Sequence, residues 1–383
     1  MVKLPPGIKP ESWLVSAGRA SEPGAPLNVP PIPASNFIIG RGRDYSRDDG
    51  TPTWEALEEV VGGLESGKAV AFASGMAGVS AVLQLLSGDD HAIVGYDCYL
   101  STYHLFANDL PRFGISATFV DLTDLDAVAR AVRPNTRLIW IESPTNPLLD
   151  IVDLRAVAGI AREAGAITAV DNTFASPYCQ NPIDEGIDLV VHSTTKYLSG
   201  HSDLMGGAVI SRTPELAARI ADRQYYLGAV PSAFDCWLLI RGMRTLGVRM
   251  RQQMANAQAI AEWLQGRPEV TRVLYPGLPD HPGHDLARRQ MRGGFSAMVS
   301  FAVAGESAAA RRVSERTRVF KLATSLGGIE SLIFPPTAWL ETEPSLMAQI
   351  PGSPWAQHPG LIRLSVGIES PRDLIADLAH ALT

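Results

Sequence analysis

The chain has 383 residues, 46% of them hydrophobic and 19% charged, with a formal charge of -7. This composition supports a large buried core and excludes wholesale disorder, and the acidic balance excludes a basic face for nucleic acid. No apolar run reaches the ~18 residues that span a bilayer, and no signal-peptide core opens the chain.

Residues 1–46 are rich in Pro and Gly, and the five prolines between Pro23 and Pro33 rule out a long helix there. They predict an extended N-terminal arm that contacts a neighbouring subunit. From residue 47 to 240 the pattern alternates. Helices are expected over Trp54–Leu64, Gly78–Leu86, Leu125–Val132 and Leu154–Glu163. Short apolar strands are expected at Ala69–Ala73, Ala92–Gly95, Thr118–Val120, Leu138–Ile141, Ile167–Val170, Leu189–Val191 and Ala208–Ile210. Such alternation predicts an α/β domain with a parallel sheet covered on both faces. Residues 241–383 open with a long helix near Met243–Leu264. They continue with strands at Phe295–Val303 and Leu361–Val366 and a helix at Pro371–Leu382, a smaller α+β domain. Cys98, Cys179 and Cys236 are scattered, without CxxC spacing. They fit reduced thiols in a cytoplasm and neither a disulfide frame nor a zinc site.

Ligands of open α/β sheets bind beyond the carboxyl ends of the strands. Asp171 closes the expected strand Ile167–Val170, and Lys196 follows Leu189-Val-Val-His-Ser-Thr-Thr195. A lysine amine can bond the aldehyde of pyridoxal phosphate. An acid beside the ring keeps its nitrogen protonated, so that the ring draws electrons. Taken alone, Lys196 reads as a surface lysine and Asp171 as a turn acid; Ser193, Thr194 and Thr195 shift the balance, because hydroxyls there can bind a phosphate. Ser74-Gly-Met-Ala-Gly78 joins a strand to a helix, where small residues let backbone amides reach an anion; an ordinary tight turn reads the same way. Arg363 interrupts an apolar strand and demands an anionic partner, either an α-carboxylate or a structural ion pair. Tyr99 follows a strand, as a stacking ring or as a half-buried aromatic. Asn146 is by default a turn residue, and Tyr45 and Arg47 alone are solvated surface. Gly62-x-x-x-x-Gly67-Lys68 nearly matches a P-loop, but Ala69 stands where Ser or Thr must hold magnesium. His281-Pro-Gly-His284 reads as a loop with no further ligands, and no metal is expected.

At these residues the chain resembles the pyridoxal-phosphate enzymes of cysteine and methionine metabolism, the group of cystathionine γ-lyase, cystathionine γ-synthase and methionine γ-lyase. The resemblance covers nearly the whole chain and is strongest in Val170–Tyr178, His192–Gly207, Tyr275–His284, Ser325–Leu332 and Leu361–Glu369. It implies a fold-type I transferase-like α/β architecture. It implies that Lys196 holds the cofactor and shuttles protons, and that Asp171 pairs with the pyridine nitrogen. Gly75, Met76, Ser193 and Thr195 would bind the phosphate, and Tyr99 would stack on the ring and act as acid or base. Tyr45 and Arg47 would reach the phosphate of a neighbouring subunit's cofactor within a homotetramer of shared sites. Asn146, Arg363 and the backbone near Ser325 would hold the substrate carboxylate. The activity implied is γ-elimination from a sulfur amino acid, giving a thiol, a 2-oxo acid and ammonia. The alternative is γ-replacement on an O-acylhomoserine, of the cystathionine γ-synthase or homoserine sulfhydrylase type. A non-catalytic nucleotide-binding protein is the rival from another class, resting on Gly62–Lys68.

Departures from the family pattern bear on the substrate. Arg47-Asp-Asp-Gly-Thr-Pro-Thr53 is one residue longer than its counterpart, and Tyr99-Leu-Ser-Thr102 lacks two glycines. His104 replaces an arginine. Thr324 replaces a glutamate that pairs with cystathionine's distal ammonium; Asp44 is the acid that would substitute for it. Pro335-Pro-Thr-Ala-Trp339 replaces a Thr-His segment.

Overall fold

The computed structural model describes residues 4–40, 42–343 and 357–383. A first sheet contains β1 (Lys68–Phe72), β2 (His91–Gly95), β3 (Ser116–Val120), β4 (Thr136–Glu142), β5 (Ile167–Asp171), β6 (Leu189–Ser193) and β7 (Gly207–Ser211). Their order is β1-β7-β6-β5-β4-β2-β3. Strands β2 to β6 run parallel, whereas β7 is antiparallel to both of its neighbours. The first sheet is therefore mostly parallel, with β7 as the exception.

The apolar runs arise because both faces of this sheet are covered. Along β4, Leu138 and Trp140 join a cluster with Val79, Val82, Val191 and Val209, under the helix Gly75–Leu83. The alternate residues Ile139 and Ile141 join Val157, Ala158 and Ala161 of the helix Leu154–Ala164 on the opposite face. Side chains alternate faces along a strand, so a strand buried on both sides must be apolar at every position. Each such side chain contributes about 1.5–3 kcal/mol.

A second sheet contains β8 (Val270–Leu274), β9 (Met298–Val303), β10 (Lys321–Leu322), β11 (Leu332–Phe334) and β12 (Leu361–Ser365). Its order is β10-β11-β12-β9-β8, antiparallel except for β10 with β11. The expected long helix runs Leu246–Gln265; a separate helix, Ala233–Met243, precedes it, and the chain turns between them at Arg244–Thr245. Arg244 holds that corner by donating to the carbonyls of Leu14 and Ala17.

The N-terminal arm is not wholly extended. Pro10–Ser16 is a helix whose Trp13 indole donates to Val60 O at 3.0 Å. A Cβ added at Gly63 would lie 2.2 Å from that indole. Gly62 and Gly63 thus belong to the helix Pro52–Leu64 and make room for packing, which removes any phosphate role for the near P-loop. The histidines of the other decoy are also engaged locally: His281 Nδ1 accepts the Gly283 N–H, and His284 Nδ1 lies 2.8 Å from Pro276 O. Among the described residues no group of His, Cys, Asp or Glu is placed to hold a metal ion. No described helix is long and apolar enough to cross a membrane.

Candidate active site

The carboxyl ends of the parallel strands deliver polar residues to one edge of the first sheet. Glu142 ends β4, Asp171 ends β5 directly opposite it in register, and Ser193 ends β6. Beyond that edge lies a cavity of about 790 Å³, to which the second sheet contributes Phe334 and Arg363 and the loop between β10 and β11 contributes Ser325. Gly75, Met76, Tyr99, Asn146, Asp171, Ser193, Thr195, Lys196, Thr324, Ser325 and Arg363 all line this one cavity.

Lys196 donates from Nζ to Ser325 Oγ at 2.7 Å. Its amine is pushed down to about 8, chiefly by burial and then by the Arg363 guanidinium, with Asp171 opposing. Burial raises the Asp171 carboxyl, against hydrogen bonds from Thr173; the Thr173 N–H donates to Oδ1 at 3.0 Å. A desolvated acid facing a cavity is stabilised by a cation placed there.

Arg363 is 5% exposed. Its Nη1 donates to Asn146 Oδ1 and its Nη2 to Ser325 O, each at 3.0 Å. Burial lowers the guanidinium to about 10, and Glu142 works in the other direction. Among the described residues no carboxylate bonds the fork. These hydrogen bonds go to neutral acceptors, and the Phe174 and Phe334 rings lie at 5.9 and 5.3 Å. That arrangement leaves its cationic charge unneutralised inside the cavity wall, the setting for an anionic ligand. Ser325 carries φ +79°, a left-handed backbone uncommon for a side-chain-bearing residue.

At the other end, Ser74 caps the helix Gly75–Leu83 by accepting the Ala77 N–H. The amides of Gly75 and Met76 therefore lie in the first helical turn, where no preceding helical carbonyl reaches them. The expected helix start at Gly78 moves back accordingly to Gly75. A Cβ on Gly75 would sit 2.8 Å from Ser193 Cβ, and one on Gly207 2.1 Å from Ser74 O; backbone and hydroxyls close on each other only because both positions are glycine. Thr195 Oγ1 donates to Gly206 O and accepts the Gly206 N–H, which pins this loop.

Tyr45 and Arg47 are not brought to this cavity within the chain. They line a separate cleft of about 380 Å³, with the Arg47 guanidinium over the rings of Tyr45 and Tyr225 at 5.3 and 5.0 Å.

Reading the sequence alone overlooked two groups. Glu142 is 5% exposed, and its Oε2 accepts the Tyr99 N–H at 2.8 Å. Burial, then Asp171, pushes its carboxyl well upward. The strand-end rule that singled out Asp171 applies equally to Glu142. Behind the site, buried Glu65 pairs with His192 Nε2 at 2.6 Å and accepts from Asn172 and Asn181 at 2.7 and 3.1 Å. This network grips the residues next to Asp171 and Ser193.

A half-buried amine shifted toward neutrality, a desolvated acid, and an amide-and-hydroxyl cradle at a helix start fit the aldehyde, ring nitrogen and phosphate of pyridoxal phosphate. Comparison with known proteins points the same way. The family model for Cys/Met metabolism PLP-dependent enzymes matches residues 35–383. A cystathionine gamma-synthase of Mycobacterium bovis is 44% identical over 97% of this chain and 96% of its own length. A cystathionine gamma-lyase of Dictyostelium discoideum is 42% identical over 96% of each. The crystal structure of metB from Corynebacterium glutamicum superposes with a TM-score of 0.93 at 39% identity, covering 98% of each chain.

Proposed function

The chain belongs to the Cys/Met metabolism PLP-dependent enzyme family, and on that premise we propose that it is a carbon–sulfur lyase eliminating the γ-thiol of a sulfur amino acid. Cystathionine and methionine are the leading substrates. The overall change consumes one water and releases a thiol, a 2-oxo acid and ammonia.

When bound, pyridoxal phosphate supplies the electron sink that makes the substrate's Cα and Cβ protons removable. The chain's residues do the rest. The Arg363 fork, with Asn146 beside it, binds the α-carboxylate and fixes Cα above the Lys196 amine. Lys196, lowered to about 8, is partly neutral near neutral pH and takes the Cα proton. A second proton leaves Cβ. The Tyr99 hydroxyl, on a residue whose backbone is held by Glu142, delivers a proton to the departing sulfur. Asp171 would pair with the protonated ring nitrogen. The observation that carries the reading is the convergence of Lys196 and Arg363 on Ser325, one on its hydroxyl and the other on its carbonyl.

The second reading is γ-replacement on an O-acylhomoserine. It is favoured by the cystathionine gamma-synthase among the relatives. The test compares cystathionine alone with O-acylhomoserine plus cysteine. Release of 2-oxobutyrate from cystathionine or methionine without an added thiol supports the lyase. Product formed only from acylhomoserine with a thiol acceptor overturns it.

The separate cleft that holds Tyr45 and Arg47 supports a shared-site homotetramer, in which these residues complete a neighbour's phosphate site. Sedimentation gives the assembly, and mixing Lys196→Ala with Arg47→Ala protein should restore activity through hybrid sites. We place the enzyme in the cytoplasm on its three buried free thiols.

A further inference from the structure

One wall of the cavity is apolar. Four charged side chains among the described residues line the cavity: Glu142, Asp171, Lys196 and Arg363. All are engaged at the reacting end. Arg363 bonds Asn146 and Ser325, Lys196 bonds Ser325, Glu142 bonds the Tyr99 amide, and Asp171 bonds Thr173. Beyond them, Leu100, Phe334 and Leu340 form a buried cluster with Tyr103 and Trp339 packed on it. The Phe334 and Trp339 rings lie 5.7 Å apart, tilted, and Leu100, Leu105, Phe334 and Trp339 all face the cavity. His104, the remaining titratable side chain of the lining with a basic ring, is turned to its own segment. Its Nδ1 is 3.3 Å from Asn108 Nδ2 and its Nε2 is 3.7 Å from Asp109 Oδ2.

We infer that this wall makes the enzyme select a γ-substituent that is uncharged and apolar, an alkylthio group as in methionine, over the zwitterionic distal arm of cystathionine. The inference rests on the lyase reading and narrows its substrate. A distal ammonium or carboxylate seated against Leu105 and Trp339 would lose hydration with no charged partner among the described residues of this wall, whereas a methylthio group gains burial and a sulfur–aromatic contact. Differences of this kind in an apolar pocket discriminate by roughly 10–200-fold.

The test separates binding from turnover. Amino acids without a γ leaving group are titrated into the holoenzyme by calorimetry: norleucine (apolar), lysine (cationic) and 2-aminoadipate (anionic). Norleucine should bind at least about 10-fold tighter than either charged analogue. Trp339→Ala should narrow that gap about 10-fold while leaving alanine binding unchanged, and Thr324→Glu should improve lysine binding selectively. Since Trp339→Ala removes a packed ring, the order measured on the unmodified enzyme stands as the primary result. Lysine or 2-aminoadipate binding as tightly as norleucine overturns the proposal and would mean that a charge from elsewhere in the assembly reaches this wall. Turnover is read independently. The norleucine preference with no 2-oxo acid from any substrate would sustain the apolar wall and sink the lyase reading. 2-Oxobutyrate from cystathionine faster than from methionine, with charged analogues preferred, would do the reverse.

Discussion

The Lys196 amine should titrate near pH 8 in the cofactor-free protein, far below the ordinary 10.5. The gap corresponds to about 3.4 kcal/mol in favour of the neutral amine, at about 1.4 kcal/mol per pH unit. At pH 7.5 about a quarter of the amines would be neutral, against roughly one in a thousand at the ordinary value, a nucleophile some 200-fold more abundant. Competitive labelling with acetic anhydride, read by mass spectrometry on the peptide carrying Lys196, measures this directly. The neighbours give the signs. Replacing Arg363 with Met removes a cation that lowers the amine, so the inflection should rise. Asp171→Asn removes the opposing carboxyl, so it should fall. Linkage supplies a second readout. A base depressed in the folded state costs stability fully below its folded value, and the cost fades as pH climbs from about 8 to 10.5. Lys196→Met should therefore raise the unfolding free energy of the cofactor-free protein by about 3 kcal/mol at pH 7 and by nothing above pH 10.5. An inflection at pH 10 or higher, or a stability gain independent of pH, would refute the argument that burial and Arg363 set this amine.

Three further outcomes follow from the geometry. Arg363→Lys removes the fork that reaches Asn146 and Ser325 and should lower kcat/KM on the order of 100-fold, about 2.7 kcal/mol, mostly through KM. Unchanged kinetics would show that the carboxylate binds elsewhere. Gly75→Ala forces a Cβ to within 2.8 Å of Ser193 Cβ; cofactor retention on dialysis, followed by absorbance, should weaken on the order of 10-fold or more while the fold persists. Glu65→Ala leaves the buried His192 Nε2 without its partner and takes one acceptor each from Asn172 and Asn181, and it should cost at least about 1–3 kcal/mol in urea unfolding; a loss under about 1 kcal/mol would show that the network is not held together by that carboxylate.

The layered fold was legible because strands covered on both faces must be apolar throughout, as in Leu138–Ile141, and because turns between them carry Gly, Ser and Asp. The antiparallel course of β7 was not legible, since composition carries no strand direction. The helix Pro10–Ser16 was hidden by the prolines around it, and its anchor is a tertiary fact: Trp13 fits only because Gly63 lacks a side chain. At the site, Asp171, Lys196 and Arg363 stood out as charges against apolar strands. Glu142 obeys the same rule. Leu105 and Phe334 had no signal of their own; an apolar residue becomes a specificity wall only when the fold brings it to the cavity, as the second sheet brings Phe334.

One helix supports that meeting of sheets. From the helix Leu246–Gln265, Arg249 donates to the carbonyls of Tyr197 and Leu198, just past Lys196. One turn on, Gln253 donates to the carbonyls of Gly328 and Val366, beside Ser325 and Arg363. A Cβ at Gly200 would collide with the Arg249 guanidinium, and one at Gly327 would lie 2.6 Å from Tyr197 N. The loop that holds the cofactor amine and the loops that hold the carboxylate are thus clamped to the same helical face and to each other. Burial alone sets the Arg249 guanidinium down to about 10, and its acceptors on these loops are neutral carbonyls. Its fork is therefore held by direction more than by ion pairing, which is what fixing two backbone loops at a defined separation requires.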